Sequence, residues 1–205
     1  MTNKLEQLFR AVAEKDVDRL RQLLEAGADV NAHVDGGRTI LMQAALRGDN
    51  VLFDLIQDKT TIRLRLEIVR TLIQAGANVN ARDSGGRTAL MFARYCPDVV
   101  EILIQAGADI CVQDNQGNTA LMMTAEVESG RLLLAAGCDA NARNHKGRTA
   151  LMYTTDVESI RLLLEAGCNV ITRDNDGKTA LDLAVKMNAG PEVLELLLKV
   201  PGVGK

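Results

Sequence analysis

The chain has no tryptophan and only Phe9, Phe53, Phe92, Tyr95 and Tyr153 as aromatics, so no large ring cluster is available for a central core. Leu, Ala, Val and Ile must fill the interior instead, which suits thin layers of short helices. Histidine occurs twice, at His33 and His145, and the four cysteines show neither a CxxC pair nor the Cys/His spacing of a zinc site. Neither a metal centre nor a disulfide framework is expected, and no cofactor is implied. No apolar stretch approaches the ~20 residues that cross a bilayer. The opening residues Met1 to Arg10 lack the apolar segment of a secretory signal, so the expected address is cytoplasmic and no membrane partner is expected. Lys plus Arg number 24 against 27 for Asp plus Glu, a net charge of −3. That balance offers no broad basic surface for phosphate backbones, and nucleic acid is disfavoured as a partner.

What is present is a phrase that recurs. A leucine-rich run leads into Ala-Gly-[Ala/Cys]-[Asp/Asn], and a polar turn ends in Gly-x-Thr-[Ala/Ile]-Leu. The glycine of the first phrase falls at Gly27, Gly76, Gly107, Gly137 and Gly167. The threonine of the second falls at Thr39, Thr88, Thr119, Thr149 and Thr179. Both series step by 49, 31, 30 and 30 residues, so they belong to one repeating unit. Self-similarity at such a period marks a stack in which each unit buries its apolar face only against its neighbours. Cys138 and Cys168 occupy the repeat position held elsewhere by Ala28, Ala77 and Ala108, as small buried residues.

Residues 144–173 give the cleanest unit. Asn144 to Gly147 reads as a turn, with Gly147 free to take a positive φ. Thr149 reads as a helix N-cap, followed by a short helix over Ala150 to Thr154. Thr155-Asp-Val-Glu158 has the spacing of a capping box, opening a second helix that Gly167 closes in the left-handed position. The same grammar produces a hairpin-like finger and two antiparallel helices in each unit.

These motifs resemble the ankyrin repeat, whose Thr-Pro-Leu-His signature corresponds to Thr-[Ala/Ile]-Leu-Met in this sequence. The family's Gly-Ala-Asp-Val-Asn-Ala is present at Gly27 to Ala32 and nearly so at Gly76 to Ala81. The resemblance implies an all-α repeat solenoid of stacked helix-turn-helix units with finger loops, forming a single domain over residues 1–205. Its expected units are about 1–33 as an N-terminal cap, 34–82 with an insertion near 50–66, 83–113, 114–143, 144–173, and 174–205 as a C-terminal cap. Lys186, Glu192, Glu195 and Lys199 would give that last cap polar cover.

Three departures from the family pattern stand out. Met42, Met91, Met122 and Met152 replace the histidine that ties the turn together, and Asp182 replaces it in the last unit. The methionines read as an internal packing column, with an adaptable binding strip as the alternative. The 30- and 31-residue units are shortened between their paired helices, where Pro97 suits the first position of a helix. The second unit is longer by 16–18 residues, from the 37 between Thr39 and Gly76 against 19 between Thr88 and Gly107. Asn50 to Gln57 reads as a helix there, Asp58 to Thr61 as an interruption, and Ile62 to Leu66 as an alternating, strand-like stretch before helical phase resumes. Such an insertion is either surface decoration or the source of individual partner specificity.

No catalytic constellation is present, so an enzyme is not expected. His33 and His145 fall in finger turns, and the terminal Pro-Gly-Val-Gly-Lys205 lacks the spacing and following helix of a phosphate loop. What the resemblance implies is a non-enzymatic module, expected as a monomer, that binds a protein partner along the concave face of the solenoid. The alternative is a regulatory or inhibitory subunit, or a delivered effector, that masks an enzyme or other target. The finger residues expected on that face are Asp35, Arg38, Ser84, Arg87, Asn115, Gln116, Asn118, His145, Lys146, Arg148, Asn175, Asp176 and Lys178. From the first helices the expected contributors are Phe92, Tyr95, Met123, Glu126, Tyr153 and Asp156. The basic fingers fit an acidic or phosphorylated partner segment, or simply a solubilising surface. The aromatics fit interface anchors or supports of the finger–helix junction.

Overall fold

A computed structural model describes residues 4–46, 59–124 and 126–199. Its contacts separate two units, Met1–Asp109 and Ile110–Lys205. Among the described residues the secondary structure is helical, apart from an isolated antiparallel bridge between His33 and Thr39.

The first unit holds α1 (Lys4–Glu14), α2 (Val17–Glu25), α3 (Ile40–Ala45), α4 (Lys59–Gln74), α5 (Ala89–Phe92) and α6 (Pro97–Gln105). Helices α1, α3 and α5 pack in one layer, and α2, α4 and α6 in a second. Leu8, Leu20, Ile40, Leu41, Ile68, Leu72 and Leu103 are fully buried between these layers. The second unit repeats the plan with α7 (Ala120–Met123), α8 (Val127–Ala135), a 3-10 turn (Ala150–Met152), α9 (Val157–Glu165), α10 (Ala180–Lys186) and α11 (Pro191–Lys199). There α7, the 3-10 turn and α10 form one layer, and α8, α9 and α11 the other, over Leu133, Leu151 and Ile160.

Local chemistry sets the helix ends. Thr39 accepts the Met42 amide at 3.3 Å, and Pro97 opens α6 where a missing N–H costs nothing. Gly167 takes φ +80°, allowing its amide to reach Leu164 O and the Cys168 amide to reach Leu163 O, both at 3.0 Å. Those two bonds satisfy carbonyls that the end of α9 would otherwise leave open.

Four details differ from expectation. Ile62 to Leu66 is no strand and Lys59 to Thr61 no break before Glu67, because α4 is continuous from Lys59. Its buried residues are Arg65, Ile68, Val69 and Leu72, a helical spacing. The alternation misled because Arg65 reads as an outward polar residue, whereas the helix turns it inward. The segment Asn50 to Gln57, together with Asp58, lies outside the described residues. The first helix of unit 144–173 shrinks to the 3-10 turn, and Thr149 makes no side-chain cap bond to it. The next helix is capped by Asp156, not Thr155: its carboxylate accepts the Ser159 amide at 2.8 Å. Glu126 does the same for Ser129 at 2.9 Å.

Met42 and Met91 in the first unit, and Met122 and Met152 in the second, are all buried, as packing residues require. Asp182 keeps a hydrogen-bonding role in the family histidine's position. It forms a reciprocal capping box with Thr179, accepting the Thr179 amide at 2.8 Å. Amide and hydroxyl donation from Thr179 hold its carboxyl below the ordinary carboxylate value, against a smaller effect of burial. On the last helix pair, Val185, Met187 and Leu198 stay exposed beside the expected polar residues.

Candidate protein-binding surface

Four fingers are each closed around one buried polar side chain. In the first unit Asp83 Oδ1 accepts the amides of Gly85 at 2.9 Å and Arg87 at 2.8 Å. In the second, Asp114 holds Gln116 and Asn118, Asn144 holds Lys146 and Arg148, and Asp174 holds Asp176 and Lys178, all within 3.0 Å. Such side-chain turns let a short polar segment satisfy its backbone without a sheet. The four anchors are only 5 to 9% exposed, and none was singled out from sequence as more than a turn residue. Their recurrence at steps of 31, 30 and 30 residues was the available signal.

Neighbouring fingers within a unit are tied tip to tip. The Ser84 amide donates to Gly36 O at 2.7 Å in the first unit. In the second, the His145 amide donates to Gln116 O and the Asn175 amide to Lys146 O, both at 2.9 Å. Deeper in each unit, Asn80 donates to Gly107 O at 3.1 Å and accepts the Asp109 amide at 2.8 Å, while Asn141 bridges Gly167 O and the Asn169 amide equivalently. Backbone and side chain together make each finger array a pre-shaped surface.

The charges of this surface are engaged unevenly. Asp83 and Arg87 form an ion pair at 2.7 Å with the carboxylate almost wholly buried. Burial pushes that carboxyl up, but Arg87 and the Gly85 amide together outweigh it and leave Asp83 below the ordinary value. Arg148 pairs with Asp174 at 3.0 Å. The Lys178 amide, helped by Arg148, lowers the Asp174 carboxyl too. Arg143 donates to the Gly147 and Arg173 carbonyls at 3.0 and 2.8 Å, closing one finger and reaching the next.

The nineteen expected surface residues divide accordingly. Asp35, Ser84, Asn115, Gln116, His145, Lys146, Asn175 and Asp176 are exposed on finger tips, and Lys178 is exposed at a finger base. Arg38, Arg87, Asn118 and Arg148 are half-buried at finger bases, and Asn118 is engaged by Asp114 and Asn144. Tyr95 and Tyr153 are 41% and 42% exposed, each supported from below. The Arg94 guanidinium lies 5.1 Å from the Tyr95 ring centroid, and the Asn144 amide donates to the Tyr153 hydroxyl at 2.7 Å. Met123 is half-buried, whereas Glu126 and Asp156 serve as the helix caps described above. Phe92 does not reach the surface: its ring is buried beneath Arg38 and Arg87, whose guanidinium carbons stand 5.4 and 4.8 Å from its centroid.

A family model for ankyrin repeats in three copies matches residues 8–114, 62–131 and 121–204. The chain is an ankyrin-repeat protein. Among solved structures, a chain from the complex of a predatory endopeptidase of Bdellovibrio bacteriovorus with an immunity protein is similar at 27% identity and a TM-score of 0.76. That match covers 95% of this chain and 98% of the other. An ankyrin repeat domain from Acinetobacter baumannii is similar at 29% identity and a TM-score of 0.71, covering 93% and 95% of the two chains. The ankyrin repeat protein EF0377 shares the fold at 22% identity and a TM-score of 0.75, with 97% and 99% covered. No curated protein matches the sequence. Among the described residues of this ankyrin-repeat protein, no helix is long and apolar enough to cross a membrane.

Proposed function

We propose that this ankyrin-repeat protein is a non-enzymatic binding module that engages a protein partner through its finger tips and the adjacent first-layer helix ends. The observation carrying the reading is the pair of braced, exposed tyrosines, Tyr95 over Arg94 and Tyr153 on Asn144. An exposed aromatic ring already held in a fixed orientation loses little entropy when a partner covers it. The inter-finger hydrogen bonds extend the same argument to the tips.

The test begins with affinity capture from the native cell and identification of the captured protein by mass spectrometry. Binding of that purified protein is then measured with Tyr95→Ala and Tyr153→Ala. Each is expected to weaken binding at least about tenfold, the scale of an interface anchor, while the variant still unfolds cooperatively. Full affinity in both variants would move the interface away from these tyrosines.

A second reading, the masking of an enzyme, draws support from the similar chain found in an endopeptidase–immunity protein complex. It predicts that a stoichiometric amount of this protein abolishes the captured partner's activity; undiminished activity leaves the adaptor reading.

A further inference from the structure

The residue preceding each finger's threonine is Arg38, Arg87, Asn118, Arg148 or Lys178. In the first unit Arg87 is neutralised by Asp83 of its own finger. In the second, Asn118 donates to Asp114 at 3.1 Å and Arg148 pairs with Asp174. Lys178 is an exposed ammonium in the field of Asp182. Arg38 is different. Its own finger carries Val34 where the others carry Asp or Asn, and the carboxylate of the next finger, Asp83, is already held by Arg87. Among the described residues Arg38 has no ion pair, and its guanidinium lies against the Phe92 ring.

Stacking against a ring fixes the plane of a guanidinium and leaves its N–H edges open. Those edges are built for two parallel hydrogen bonds to a carboxylate, and part-burial removes some of the water that would compete. Phe92 is buried and also lies under the Asp83-bound Arg87, 4.8 Å from its guanidinium carbon, so the platform beneath the charge is braced. We propose that Arg38 recognises an aspartate or glutamate side chain of the bound protein, with Phe92 and Arg87 as positioning residues. This rests on the protein-binding reading of the same face. A single unpaired guanidinium beside the exposed Asp35, in a chain of net charge −3, suits one carboxylate better than a run of phosphates.

The test uses the intact protein and an amidated hexaglutamate peptide, with hexaglutamine and oligothymidylate as controls. Arginine side-chain Nε–Hε signals are followed by NMR. Hexaglutamate is expected to shift Arg38 while Arg87, held by Asp83, stays in place; hexaglutamine should shift neither. Arg38→Lys is expected to weaken peptide binding about tenfold without changing the melting curve, because an ammonium lacks the planar fork. Phe92→Leu should broaden the Arg38 signal and weaken binding through loss of the platform. Equal shifts at every basic side chain, no shift at all, preference for oligothymidylate, or full affinity in Arg38→Lys would each overturn the proposal. With the captured partner, sensitivity to Tyr153→Ala but not to Arg38→Ala would remove Arg38 and leave the binding reading standing. Insensitivity to Arg38→Ala, Tyr95→Ala and Tyr153→Ala alike would remove that reading as well.

Discussion

The side-chain amide of Asn144 donates to Asn118 Oδ1 and to the hydroxyl of Tyr153, each at 2.7 Å. Its carbonyl oxygen accepts the amides of Lys146 and Arg148. All the hydrogen-bonding capacity of one buried asparagine is therefore in use, joining two fingers and an exposed tyrosine.

Asn144→Asp restores the residue found at the equivalent Asp83, Asp114 and Asp174, yet it should destabilise. The carboxylate keeps the two amide bonds but loses both donors and faces Asn118 Oδ1. The expected loss is about 1 to 3 kcal/mol in urea unfolding, the scale of leaving buried polar groups unsatisfied. Tyr153→Phe, which removes one of these partners, should cost about 1 kcal/mol.

Gly130→Ala should do the reverse. Gly130 lies inside α8 at ordinary helical φ, and an added Cβ would meet Leu162 Cδ2 at 3.4 Å and Thr124 Cγ2 at 3.8 Å, both normal contacts. Removing a mid-helix glycine then gains about 1 kcal/mol from helix propensity. A lower thermal midpoint would mean that Leu162 cannot tolerate the methyl group.

Low pH should loosen the fingers and the start of α10 together. The carboxyls of Asp83, Asp174 and Asp182 are all held below their ordinary value in the fold. Their stabilisation is present above the unfolded value of about 3.9 and disappears as pH falls through the lower folded values. Urea midpoints measured from neutral pH downward should hold steady and then drop below about pH 4. Asp83→Asn should make that drop shallower, since one of the three linked protons is then missing.

The thiols should react in order of access. Cys111 is exposed, whereas Cys168 is buried, donates to Ala140 O at 3.1 Å and is pushed up to about 12 by burial first and the Asp139 charge second. Brief alkylation at mildly alkaline pH, read by peptide mass spectrometry, should label Cys111 and leave Cys168 untouched until the protein is unfolded. Early labelling of Cys168 would show that its repeat opens locally.

Repetition made the fold legible. Thr39, Thr119 and Thr179 cap helices where their phrase places them, and Gly167 closes α9 as its position implied. What escaped the sequence depended on three-dimensional company. Arg65 looked outward until the helix turned it in, and Thr155 looked like a cap until Asp156 proved one residue better placed. Phe92 read as a surface aromatic because nothing local reveals that two arginines from successive fingers close over it. The uneven pairing of those arginines follows from Val34, whose importance lies in the carboxylate it does not supply.

The tip-to-tip bonds run from backbone amide to backbone carbonyl, as between His145 and Gln116, and the Asp or Asn that shapes each of the four closed turns sits below them. The identity of an outermost side chain therefore has little bearing on whether its loop keeps its form. A library randomised at Asn115, Gln116, His145 and Lys146 should remain mostly folded, making this chassis suitable for selecting new specificities.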